Sequence, residues 1–125
     1  GGYVISPAKG EPEGILIASG SEVPLAIKSQ QQLAESHHDV AVVSMPCMEL
    51  FNQQSQEYRD HVLPPAVTKR VAIEMGTGFV WNQYVGSRGK IISVDQFGQS
   101  GDGSTIVSNY GFNVDNVTQT YLSLQ

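Results

Sequence analysis

Residues 19–22, Ser19-Gly20-Ser21-Glu22, join an apolar run to a helical pattern, and that junction is the best place in this chain to hold a ligand. Unpaired N–H groups and the positive end of a helix dipole together favour a small anion. Neither a Gly-x-Gly-x-x-Gly nor a P-loop lysine accompanies the turn, so a nucleotide is not expected. The plainer reading is helix capping with a tight turn. His37 and His38 follow the same helical pattern, where an imidazolium suits the negative end of the dipole. No carboxylate or Cys cluster at metal-ligand spacing joins them or His61, so solvated or capping roles are expected. Cys47 lies between Pro46 and Met48 with no base placed to activate it, and reads as a small, partly buried filler. No Ser/His/Asp set and no paired carboxylates emerge from the spacing.

The elements that must position these groups alternate. Short β-rich runs at 3–5, 15–18, 40–43, 71–73 and 91–94 lack polar alternation, as strands covered on both faces do. Between the second and third lies a helix, with Ser21 as its expected N-cap, because Pro24 then falls in the first turn, where its missing N–H costs nothing. Val23, Ala26, Ile27, Leu33 and Ala34 supply its apolar stripe. Further helices are expected at 48–51, 56–62 (ended by Leu63-Pro64-Pro65), 80–85, 105–109 and 114–124. The alternation predicts one α/β domain over residues 1–125, a three-layer α/β/α sandwich around a mostly parallel sheet.

Composition narrows the function. Seven Lys+Arg against twelve Asp+Glu give a net charge of -5, which argues against nucleic acid or an anionic membrane as partner. Charged residues are 15% of the chain, against the roughly 25% usual in soluble domains, as expected if other protein covers part of the surface. A single cysteine precludes an internal disulfide and fits a reducing, intracellular setting. The chain opens Gly-Gly-Tyr rather than with Met, so a fragment of a longer protein is expected.

The segment Val42-Val43-Ser44-Met45-Pro46-Cys47-Met48-Glu49-Leu50-Phe51-Asn52-Gln53-Gln54, followed by Tyr58-Arg59-Asp60-His61-Val62-Leu63-Pro64, carries a family pattern. It resembles the V-S-M-P-x-x-E-L-F-x-x-Q and Y-R-x-x-V-L-P block of the transketolase C-terminal domain. Gly14-Ile15-Leu16-Ile17-Ala18-Ser19-Gly20-Ser21-Glu22-Val23, Arg70-Val71-Ala72-Ile73-Glu74-Met75-Gly76, Tyr84-Val85-Gly86, Asp95-Gln96-Phe97-Gly98 and Tyr110-Gly111-Phe112 follow the same family in order. The resemblance implies a five-stranded sheet ordered 1-3-2-4-5 with the first strand antiparallel. It also implies a cytoplasmic, homodimeric parent that moves a two-carbon ketol unit between phosphorylated sugars. That parent would hold thiamine diphosphate and a divalent metal (Mg or Ca) in its preceding domains, with no catalytic, cofactor or metal residue in this chain. The domain's own role is then structural or regulatory. Two alternatives stand beside it: the same domain of another thiamine diphosphate enzyme, such as a dehydrogenase β subunit, or a free-standing anion-binding or sensor module.

With that strand order, the reversal lies between the strands ending at Ala18 and Ile73. Ser19, Gly20, Ser21, Glu74 and Gly76 would border one crevice there. Phe79, Trp81, Tyr84 and Phe97 concentrate large rings beyond strand ends, either as core packing or as contacts to the parent's other domains. Gly101-Asp102-Gly103-Ser104 resembles the start of a thiamine diphosphate motif, whose Asp and a later Asn pair hold the metal. No Asn-Asn follows it, so a Gly-rich surface turn is expected. The family's usual Ser-Gly/Ala-Pro is absent at this place.

Overall fold

A computed structural model describes residues 1–75, 81–93, 105–107 (backbone only) and 112–124. Strands β1 (Tyr3–Ser6), β2 (Gly14–Ala18), β3 (Val40–Ser44), β4 (Arg70–Glu74), β5 (Lys90–Ser93) and β6 (Thr105–Val107) form one sheet in the order β1-β3-β2-β4-β5-β6. β1 runs antiparallel to β3, and the remaining pairings are parallel. The implied 1-3-2-4-5 order is present, extended by a sixth strand. Residues 105–107 therefore correct the expected helix over 105–109. Thr105, Ile106 and Val107 are consecutive β-branched types, stiff at χ1 and better suited to a pleated sheet, and they pair with Lys90, Ile91 and Ile92.

Helices α1 (Val23–Glu35), α2 (Met48–Asn52), α3 (Gln56–Val62), α4 (Asn82–Val85) and α5 (Val114–Leu122) cover both faces. The strands' side chains alternate between two cores, which is why their sequences show no polar alternation. Ile15, Ile17, Ala72 and Ile91 pack with Phe51, Val62, Trp81 and Tyr84 from the α2, α3 and α4 side. Leu16, Ala18, Val71 and Ile73 pack with Ala26 and Leu33 of α1 and Val117 and Tyr121 of α5. On α1 the buried positions are Ala26, Ser29 and Leu33. Ala34, expected in the apolar stripe, is exposed. Ser29 is tolerated in the core because its hydroxyl donates to the Leu25 carbonyl at 2.9 Å.

Local signals end the helices. Ser55 accepts the Tyr58 N–H at 3.1 Å and Asn113 accepts the Asn116 N–H at 2.8 Å, so both serve as N-caps. Gly14 is required by close approach: a β-carbon there would meet the Tyr121 ring and stand 2.7 Å from the Lys69 carbonyl.

Candidate functional site

The chain leaves β2 at Ala18 and turns through a single 3-10 turn, Gly20–Glu22, before α1 begins at Val23. Gly20 takes φ +55, a left-handed conformation that glycine adopts without strain. Pro24 falls in the first turn of α1 as expected, but Ser21 is not its N-cap: the flanking position is Glu22, and no side chain caps the helix. The inserted 3-10 turn is the reason. The Ser21 hydroxyl donates to Glu22 Oε2 instead of receiving a backbone N–H.

Glu22 is 93% buried (7% exposed), and its Oε1 accepts the Met75 N–H at 3.1 Å. That bond ties the end of β2 to the end of β4, the two strands between which the order reverses. Ser19, Gly20 and Ser21 follow the end of β2 and Glu74 ends the neighbouring β4, and Gly76 lies outside the described residues. At this point stands an acceptor-only carboxylate. The Glu22 N–H donates to Ser19 C=O at 3.2 Å and the Val23 N–H to Gly20 C=O, so two of the turn's amides are already engaged. Glu74 Oε1 accepts the Trp81 indole N–H at 3.1 Å.

Of the two readings open for Trp81 and Tyr84, core packing or contact with the parent's other domains, the structure has core packing: they are 1% and 4% exposed. Their rings stand edge to face at 6.0 Å, Tyr84 meets Phe51 at 5.8 Å, and the Tyr84 hydroxyl donates to Asn52 at 2.9 Å. Surface consumed inside the domain is not available to a partner. Phe79, Phe97 and Gly101-Asp102-Gly103-Ser104 lie outside the described residues. Cys47 is half-buried at the start of α2, and its side chain makes no capping bond. His61 is exposed, and His37 is exposed in a left-handed turn at φ 67.

Two clusters had no local sequence signature. In the first, Glu13 Oε2 accepts the Tyr121 hydroxyl at 2.7 Å and meets His38 Nδ1 at 2.9 Å. Desolvation works to raise the Glu13 carboxyl, but the bonds with Tyr121 and His38, together with the positive charge of His38 and Lys69, outweigh it, and the group is held below its ordinary value. Burial first, then the bond to Glu13, drive the Tyr121 phenol far upward. These groups lie 25 and 108 residues apart along the chain.

The second cluster is a cleft of about 490 Å³ at the amino ends of β4 and β5, lined by Arg59, Arg70 and Arg88 together with Asp60, Thr68 and Ser87. These are all three arginines of an acidic chain. Arg70 donates to the carbonyls of Val67 (2.8 Å), Tyr84 (2.6 Å), Leu63 (3.3 Å) and Pro64 (2.8 Å). It thereby satisfies carbonyls at the ends of α3 and α4, where a cation also suits the dipoles. Burial lowers its pKa, yet an arginine stays charged. The signal available in sequence was only the confinement of all arginines to residues 59–88, between turn-forming prolines and glycines.

Among the described residues no group of three or more His, Cys, Asp or Glu is assembled that could hold a metal ion. No helix of the described residues is long and apolar enough to cross a membrane.

Comparison with known proteins agrees with this architecture. A family model described as the transketolase-like TK C-terminal domain matches residues 1–113. The transketolase of Geobacillus stearothermophilus is 54% identical over 120 residues, covering 95% of this chain and 18% of that protein. That of Bacillus subtilis is 51% identical over 125 residues, covering 99% and 19%. Among solved structures, transketolase from Leishmania mexicana superposes with a TM-score of 0.77 at 33% identity, over 99% of this chain and 18% of that one. The chain thus spans under a fifth of the length of the relatives it matches. It belongs to the transketolase family, as the C-terminal domain of that enzyme.

Proposed function

We propose that this domain is a non-catalytic part of its parent transketolase, serving to complete and stabilise the assembly. The whole enzyme would transfer a two-carbon ketol unit between phosphorylated sugars, as a cytoplasmic homodimer. Thiamine diphosphate and a divalent metal would supply the carbanion chemistry from the preceding domains. The described residues offer no donor set that fits a diphosphate-bound cation, so no step of the transfer is assigned to them. The observation that carries the reading is the family match over residues 1–113 by a domain with its own two-sided core.

A direct test uses the chain by itself. Circular dichroism should follow one cooperative unfolding transition, as a domain with a complete core requires. Ketol transfer measured with added thiamine diphosphate, Mg²⁺ and a phosphorylated ketose and aldose should stay at background. Turnover by the chain alone would overturn the proposal, as would failure to fold without the preceding domains.

A further inference from the structure

We propose that the arginine-lined cleft at the amino ends of β4 and β5 binds a small phosphorylated metabolite, with Arg59 and Arg88 as its ion-pairing groups. The charge distribution carries this first. The chain is at -5 overall, yet the cleft holds three arginines against one carboxylate, Asp60. Asp60 is itself engaged by the Gln56 amide at 2.7 Å. Low-dielectric walls from Leu63, Val67 and Val85 concentrate the resulting positive field in the concavity.

The arginines have different duties. Arg70 is committed to four backbone carbonyls and forms no ion pair among the described residues, so its charge is neutralised by no acid there. Arg59 gives its Nε–H to Gln54 C=O at 3.2 Å and one Nη2 bond to Gln56 at 3.0 Å, which orients the guanidinium and leaves Nη1 open. Arg88 is exposed and has no hydrogen bond or ion pair among the described residues. A fork of N–H donors matches a phosphate's oxygens in pairs, and the Thr68 and Ser87 hydroxyls line the same cleft. A volume of about 490 Å³ is in the range of small-molecule sites and larger than a bare anion needs, so a phosphate ester is the class that fits.

The position also explains why sequence reading missed it. Ligands of open α/β sheets are expected at carboxyl strand ends, where Ser19–Glu22 lies, and this cleft is at the opposite end of the sheet.

Amide NMR of the isotope-labelled chain, titrated at constant low ionic strength with glycerol 3-phosphate, inorganic phosphate and uncharged glycerol, tests the proposal. Glycerol 3-phosphate should give saturable shifts at residues 59–60, 68–70 and 86–88, bind more tightly than inorganic phosphate, and leave glycerol without effect. Arg59→Gln and Arg88→Gln should each weaken binding by about tenfold or more, the loss of a charge-assisted pair, with Tm unchanged in Arg88→Gln. Shifts that centre on Ser19–Glu22, that fail to saturate, or that survive both substitutions would overturn it. Binding of inorganic phosphate as tightly as the ester would overturn the metabolite. Loss of binding in the whole parent enzyme would show the cleft filled by a neighbouring acidic segment and overturn it also.

Discussion

Replacing Arg70 by Met probes the largest single polar commitment in the domain. The guanidinium serves four carbonyls, two of them at the α3 exit (Leu63 and Pro64) and one at the α4 exit (Tyr84). A hydrogen bond to a charged group contributes about 1.5–3 kcal/mol, so four would give on the order of 6–12 kcal/mol before any cost. Desolvating the cation removes several kcal/mol of that. Methionine retains the stem's packing, and the open cleft lets water reach some of the released carbonyls. The net loss should then be about 2–4 kcal/mol. For a chain of this size each kcal/mol shifts Tm by roughly 4 °C, so Arg70→Met should melt about 10 °C lower. Urea unfolding followed by circular dichroism measures the same quantity. Arg70→Lys should recover less than half of the loss, because one ammonium cannot present the planar fork to carbonyls from three segments. If Arg70→Met unfolds within about 0.5 kcal/mol of the parent sequence, the carbonyl net contributes nothing beyond its desolvation cost and the reasoning is wrong.

Gly14→Ala should destabilise by about 1–3 kcal/mol through overpacking, since the new β-carbon meets Tyr121 and the Lys69 carbonyl; equilibrium urea unfolding decides it. Glu13 should shape the acid limb of stability: its folded pKa lies below the ordinary 4.5, so its contribution is present above about that pH and is lost as pH falls through the folded value. A Glu13→Gln variant should therefore differ from the parent sequence at neutral pH and converge with it in acid, and parallel curves would refute the linkage. Ser55→Ala should cost about 1 kcal/mol as the loss of a true N-cap, whereas Ser21→Ala should cost less than about 0.5 kcal/mol; equal costs would restore Ser21 as a cap.

Much of the fold is legible in the residues because burial leaves a local record. Runs such as Ile15-Leu16-Ile17-Ala18 and Val40-Ala41-Val42-Val43 are apolar throughout, since each successive side chain enters a different core, and both are strands buried along their whole length. The 56–62 helix is bounded by Ser55 and by Leu63-Pro64, and the structure keeps those limits as Gln56–Val62. At Thr105–Val107 the β-branched types did carry a strand signal, but a run of three residues is too short for periodicity to separate helix from strand. The strand order came from the family resemblance, because no local pattern reports which strand lies beside which.

Composition, layer pattern and motif order are properties of the chain taken in sequence, and they alone determined an α/β domain of transketolase type. Tertiary structure decided what the polar side chains do. Glu22 reaches Met75 across 53 positions, Tyr121 reaches Glu13 across 108, and Arg59 of α3, Arg70 of β4 and Arg88 just before β5 share one cleft. Periodicity reports whether a residue is buried, not which residue it meets. The meeting depends on crossovers that bring distant strand ends together, and there the Glu22 carboxylate takes the Met75 N–H.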